Sequence, residues 1–354
     1  MTPSVGRLMT YSSVFEQEAA EVPGLVAAQF GRLEAALPPL VDRLDGLSAH
    51  LLATVARGSS DNAADFAGYL VGLRLALPTA SLPPSLASVY GCTLRLDKAL
   101  VLAISQSGAS PDLCAAVALA KSGGAFALGI VNEPDSPLGH AVDAVIAMGA
   151  QSERAVAATK SFILSLTAVA HLVGAWTRDA ALVRALNTLP RILAQCSRVD
   201  WSVAIGLLEA SRDIYVVGRG PSLPIARELA LKFKEVCGLH AEALSAAELL
   251  HGPIALASSM LPAIVIEGDE SSRATVDEAV TRLRAANAPV VVLATARGRS
   301  VHDASTVVVP KSPHPLLQPI VTAQAAYPFF ASLARVRGRD PDRPPQIEKV
   351  TRTL

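Results

Sequence analysis

The chain has 354 residues, 51% of them apolar, with 31 basic and 31 acidic side chains. That length suggests two domains, each able to bury a core. The balanced charge argues against nucleic acid or an anionic membrane as a bulk partner and leaves room only for a local anion site. Cys92, Cys114, Cys196 and Cys237 form neither a CxxC pair nor a metal-ligand spacing. They read as core thiols of a reducing compartment, and no metal or cofactor is expected.

The N-terminal stretch through Pro23 has no basic segment followed by an apolar run, and no uninterrupted apolar window reaches membrane-spanning length. A cytoplasmic chain without leader or membrane span is expected. Residues 10–50 read as helices. A strand over 51–56 (LLATVA) leads into the helical DNAADFAGYLVGLRLAL, and a strand over 98–105 (KALVLAIS) into PDLCAAVALAKSGG. Strands over 125–131 and 141–148 follow. These strands are continuous apolar runs, as in a parallel sheet covered on both faces. Strand–helix–strand alternation implies right-handed crossovers and a doubly wound α/β sheet of flavodoxin-like type.

The second half repeats the plan, with strands over 213–220, 261–271, 289–296 and 305–310 separated by helical patterns. The first strand of each half runs into Arg-Gly, at Arg57-Gly58 and Arg219-Gly220, consistent with duplication of one unit. The expected division is a helical segment over 1–45, domains over 46–195 and 196–340, and a Pro-rich, charged, irregular tail over 341–354.

Two loops carry hydroxyls. After the strand ending at 105 come Ser105, Gln106, Ser107, Gly108, Ala109, Ser110 and Pro111. Ser110 suits a helix N-cap and Pro111 the first helical position. Gly108 permits a positive φ, so that successive N–H groups can converge on an anion at the helix N-terminus. A Ser-capped turn has the same composition. The position after a buried strand, at the edge where open α/β sheets bind ligands, favours a phosphate monoester. Ser59 and Ser60 after the first strand would lie beside it, with capping at Asp61 as the plainer alternative.

Titratable groups come from the second half. ARELALKFKEVCGLHAEALSAAELLHGP (226–253) begins as a helix in which Glu228, Lys232 and Glu235 share one face. Such a face is either a solvated charged stripe or a carboxylate turned into a cleft. His251, ahead of Gly252-Pro253, is either a helix cap or an acid–base group. Spacing alone does not choose.

Seven segments in order, QEAAEVP (17–23), ARGSS (56–60), SQSGAS (105–110), SERAVAATKSF (152–162), LALKFKE (229–235), HAEALSAAELLHGP (240–253) and QIEKV (346–350), give the sequence a specific likeness. Over nearly its whole length it resembles the isomerase half of glucosamine-6-phosphate synthase and its relatives, which carry tandem sugar isomerase (SIS) domains. The resemblance implies that Ser60, Ser105, Gln106, Ser107 and Ser110 surround a sugar phosphate and that Val156 and Ala157 run along the sugar. It implies that Glu235 moves a proton between C1 and C2. It also implies that His251 opens the sugar ring from the neighbouring subunit of a homodimer, and that Lys349 forms an imine with the open-chain ketose. Such chemistry needs a carboxylate base, an acid–base group titrating near neutrality and an amine nucleophile.

There are departures. Ala109 stands where the family often has Thr or Glu, and Ser110 replaces a common Thr. Glu348 stands beside the lysine in place of a small residue, and could alter substrate choice. The synthase's glutaminase half, which opens on a cysteine nucleophile, has no expected counterpart before the first strand. The expected reaction is therefore deamination and isomerisation of glucosamine 6-phosphate to fructose 6-phosphate and ammonia. Alternatives are a fructosamine-phosphate deglycase, a galactosamine-6-phosphate deaminase, or an ammonia-dependent synthase. A sugar-phosphate sensor would need the phosphate loop without Glu235, His251 and Lys349 together, and the first 50 residues show no basic recognition helix.

Overall fold

Both halves of the chain build the same parallel sheet, and a computed structural model describes it over residues 13–295 and 305–349. The start of the expected N-terminal helical segment and the ends of the expected strand over 289–296 and of the tail over 341–354 lie outside the described residues.

Helix α1 (Val14–Leu47) begins at Ser13, whose hydroxyl accepts from the Glu16 N–H while Glu16 accepts from the Ser13 N–H. This reciprocal capping fixes its first turn. The helix is a single element although Pro23, Pro38 and Pro39 lie inside it. An interior proline costs about 3 kcal/mol. The buried stripe from Phe15 through Val22, Val26, Leu33, Leu37 and Val41 to Leu44 outweighs that cost.

The first sheet unit then runs β1 (Leu51–Val55), α2 (Ser59–Leu75), β2 (Thr79–Ser81), α3 (Ser85–Ser88), β3 (Ala99–Ser105), α4 (Pro111–Ser122), β4 (Phe126–Val131), α5 (Pro137–Ala141) and β5 (Ala144–Ala147). Its strands lie in the order β2-β1-β3-β4-β5, all parallel. Helices α6 (Lys160–Trp176), α7 (Ala180–Leu193) and α8 (Ser202–Leu208) lead to the second unit. That unit runs β6 (Asp213–Gly218), α9 (Leu223–Glu235), β7 (His240–Ser245), α10 (Ala246–Leu250), β8 (Ala263–Ile266), α11 (Arg273–Ala285), β9 (Val290–Thr295), β10 (Thr306–Val309) and α12 (Gln318–Val336). Its parallel order is β10-β9-β8-β6-β7. Each sheet thus starts in the middle, steps once outward, then reverses. The doubly wound α/β plan expected from the sequence is the plan the chain adopts, and it does so twice. No helix of the described residues is long and apolar enough to cross a membrane.

Two edge strands escaped the sequence. β2 has three exposed residues and no apolar run. β7 lies inside the stretch 226–253, which begins as a helix and in which no strand is expected. Gly238, with φ +56°, ends the turn after α9, and His240–Ser245 then pairs with β6. Its Ala and Glu residues favour helix in isolation, so sheet pairing overrides propensity there.

The two sheets share one interior. Every residue of α6 except Ala175 is buried, as expected of a helix apolar on all sides. It packs with α1, α2, α7 and α12. Helix α12 brings Phe329 and Phe330 against Phe233 of α9, and Trp201 stacks on Phe329 at 4.5 Å. This common core fixes the carboxyl edge of the first sheet against α9 of the second.

Candidate active site

The first sheet reverses direction between β1 and β3, so the loops after these adjacent strands splay apart and leave a crevice. Both hydroxyl loops lie there. Gly108 has φ +60°, and a Cβ on it would lie 1.9 Å from Ser136 Oγ, so no other residue fits. The Gly108 N–H donates to Ser105 Oγ at 3.0 Å, which curls the loop over the end of β3. Ser110 is the N-cap residue of α4, yet its side chain makes no capping bond. Likewise α2 is capped by Gly58 rather than at Asp61. Ser60, Ser105, Gln106, Ser107 and Ser110 all line one cleft of about 300 Å³, a volume suited to a small molecule. Arg57 lines it too, its Nε and Nη2 donating to Asp112 Oδ2 at 3.1 and 2.8 Å.

The second sheet has the same reversal between β6 and β8. The segment after β8 carries Glu267, Asp269 and Glu270 where the first carries hydroxyls. Those carboxylates would repel an anion, so the duplication leaves one hydroxyl-lined crevice of this kind among the described residues.

The opposite wall comes from the segment before α6. Glu153, whose side chain is fully buried, accepts from the Thr159 N–H at 3.0 Å, the Ser161 N–H at 3.0 Å and Ser161 Oγ at 2.7 Å. Lys349 Nζ donates to its second oxygen at 2.7 Å. Burial pushes the Glu153 carboxyl up. The Lys349 charge and the backbone donors outweigh burial and hold it below the ordinary carboxylate value. The segment is in turn held by α1. Glu18 accepts from the Arg154 and Ala155 N–H groups, and Glu21 pairs with buried Lys160 at 2.6 Å. These contacts give a physical reason for the acidic residues of QEAAEVP. The tail is anchored to the same helix: Asp342 accepts from the Val14 and Phe15 N–H groups at 2.8 Å each, at the positive end of α1.

The face of α9 is not a solvated stripe. Lys232 is fully buried and its Nζ meets Glu235 at 2.6 Å, Glu228 at 3.3 Å and Ser59 Oγ at 3.1 Å. Ser59 Oγ and Asn62 Nδ2 of α2 donate to the two oxygens of Glu228. Burial raises the Glu228 carboxyl; for Lys232 burial works against the charge, but its two carboxylate neighbours outweigh that and raise it. Arg227 and Asp65 pair across the same contact. Glu235, a quarter exposed, is the charged member of this network that lines the cleft, beside Ser59.

The cleft therefore gathers Ser60, Ser105, Gln106, Ser107, Ser110, Val156, Glu235 and Lys349. Ala157 is not among its lining residues: it is buried in the core, and Ala158 faces the cleft instead. Glu348 is exposed and does not line it. His251 caps α10, is exposed, and does not line it either. Glu153, Lys232 and Arg57 were missed. For Glu153 a weak signal existed, a carboxylate followed within eight residues by Thr159 and Ser161 in a family segment. Lys232 and Arg57 likewise lie in family segments, LALKFKE and ARGSS, where Lys232 shares a helix face with Glu228 and Glu235.

Comparison with known proteins adds the following. Residues 47–175 and 207–334 each match the SIS domain family. The glutamine–fructose-6-phosphate aminotransferase (isomerizing) of Thermotoga maritima is 35% identical over 71% of this chain, which spans 43% of that protein. A structure from Silicibacter pomeroyi DSS-3, described provisionally as a phosphosugar isomerase, is 36% identical with a TM-score of 0.88, over 94% of this chain and all of that one. The C-terminal domain of glucosamine-fructose-6-phosphate aminotransferase from Francisella tularensis has a TM-score of 0.85 at 22% identity, covers 96% of this chain and all of that one, and shares the fold.

Proposed function

This chain belongs to the SIS domain family, and on that premise we propose that it deaminates and isomerises an amino-sugar phosphate, taking glucosamine 6-phosphate and water to fructose 6-phosphate and ammonia. The observation that carries this reading is that Glu235 and Lys349 line the same cleft as the hydroxyl loops. A phosphate held by Ser60, Ser105, Ser107 and Ser110 fixes one end of the sugar. Glu235 then takes the proton from C2 of the open chain and returns it at C1, leaving an imine carbon at C2. Lys349 parts from Glu153, attacks that carbon and displaces ammonia, and water releases the ketose from the lysine. Ring opening is assigned to His251 of a second copy in a homodimer, since His251 of this chain lies outside its own cleft.

Purified protein should release ammonia from glucosamine 6-phosphate without glutamine. Release only from fructosamine phosphates would replace this reaction with deglycation. One observation favours that second reading: a groove lined by Lys234, Arg339, Pro345, Gln346 and Ile347 adjoins the cleft at Glu235 and would accommodate a substituent on the sugar nitrogen. Ser107→Ala should raise KM for the phosphorylated sugar several-fold with little loss of kcat, because a phosphate contact stabilises ground and transition states alike. Steady-state kinetics with both parameters resolved checks this, and a pure kcat loss would count against the phosphate assignment.

A further inference from the structure

The crevice would receive a dianion, yet it contains a carboxylate. Asp112 is the second residue of α4, its side chain has no exposure, and it lies two positions beyond Ser110. Left uncompensated, that charge would oppose the α4 N-terminus in attracting phosphate. Arg57 enters from the loop after the neighbouring strand, β1, immediately before Gly58 and the Ser59-Ser60 pair. Its Nε and Nη2 both bond one oxygen of Asp112, which fixes the plane of the guanidinium. The rest of the group borders the cleft, with the Arg57 side chain 54% exposed. Apart from Lys349, which lies across the cleft on Glu153, Arg57 is the one cation among the cleft-lining residues.

We propose that Arg57 is a specificity-determining residue for the anionic end of the substrate, cancelling the buried charge of Asp112 and lending its remaining N–H groups to the phosphate. This rests on the cleft being a sugar-phosphate site. The bland role for the same pair is a staple joining the two hydroxyl loops. The two roles predict opposite signs. A staple is broken equally from either end. A charge balance is not: losing Arg57 uncovers an anion, whereas losing the Asp112 charge frees a cation.

The test measures binding of inorganic phosphate and of non-reactive sorbitol 6-phosphate by calorimetry, with kinetics alongside. Arg57→Ala should weaken both ligands at least tenfold and raise KM far more than it lowers kcat. Asp112→Asn should bind them more tightly than the wild type, and Arg57→Ala with Asp112→Asn should recover most of the loss. Arg57→Lys, which keeps the charge, should lose less than Arg57→Ala. Should Arg57→Ala not fold, because it takes a cation away from a buried carboxylate, the sign for Asp112→Asn still decides. Weaker binding in Asp112→Asn, or a double variant no better than Arg57→Ala, would overturn the charge role while leaving the site intact. Wild-type protein that binds neither ligand would overturn the sugar-phosphate site, and this inference with it.

Discussion

Glu235→Gln is expected to lower turnover by about 10²–10⁴-fold, the usual cost of losing a general base, and to leave sorbitol 6-phosphate affinity within a few-fold of wild type. The substitution is nearly isosteric, and the amide oxygen can still accept from Lys232. Lys232 also keeps a carboxylate at 3.3 Å in Glu228, so the buried network is not left with an uncompensated cation. Loss of activity therefore reports on proton transfer and not on unfolding, and a thermal melt close to that of the wild type would confirm the distinction. Activity retained within a few-fold would return Glu235 to a purely structural place in the α2–α9 contact. The same variant tests the shared site. Mixed with inactive His251→Ala, it should regain partial activity, because some hybrid clefts would hold both native groups. Absence of complementation would remove His251 from the proposed mechanism.

Lys349→Met should abolish turnover and, with it, covalent capture. Borohydride added during turnover should attach the ketose to the wild-type chain at Lys349, and mass spectrometry should find no adduct on the variant. An adduct elsewhere, or an active Lys349→Met protein, would sink the imine. Removal of residues 346–354 should have the same effect on activity while sparing the fold, since Asp342 stays on α1. Stability offers a second readout. The Glu153 carboxyl lies below its ordinary value of 4.5. A carboxylate depressed on folding adds stability above its unfolded value and loses it as pH falls through the folded one. The stability gap between wild type and Lys349→Met should therefore be open at neutral pH and close below about 4.5, as measured by chemical denaturation across pH.

Much of this fold was legible because parallel strands covered on both faces cannot hide: LLATV and ALVLAIS can be little else. The turn of the loop after β3 was legible for a similar reason, since Gly108 and Pro111 constrain the backbone locally. What failed to show was whatever depends on a partner distant in sequence. Glu228, Lys232 and Glu235 form the same pattern whether they face water or α2, and only the shared core, built from α6 and α12, decides that they face α2. Glu153 becomes a buried anion only when Lys349 arrives from the far end of the chain. No strand is expected at β7 until β6 is there to pair with it. Ala157 and Ala158 are adjacent and identical, so the choice of which one meets the cleft is made by the turn of the backbone alone.

The bond from the Val14 N–H to Asp342 joins positions 328 apart. During synthesis α1 leaves the ribosome first, and Asp342 follows only after every strand of both sheets. Closing so long a loop is slow, and it comes at the end of assembly. Until then the Val14 and Phe15 N–H groups lack this acceptor, and Lys349 arrives in the same short stretch of chain. A chain that stops before Asp342 lacks both this tether and the Lys349–Glu153 ion pair. The amino end of α1 and the buried Glu153 carboxylate are thus both closed by one short stretch, Asp342 to Lys349.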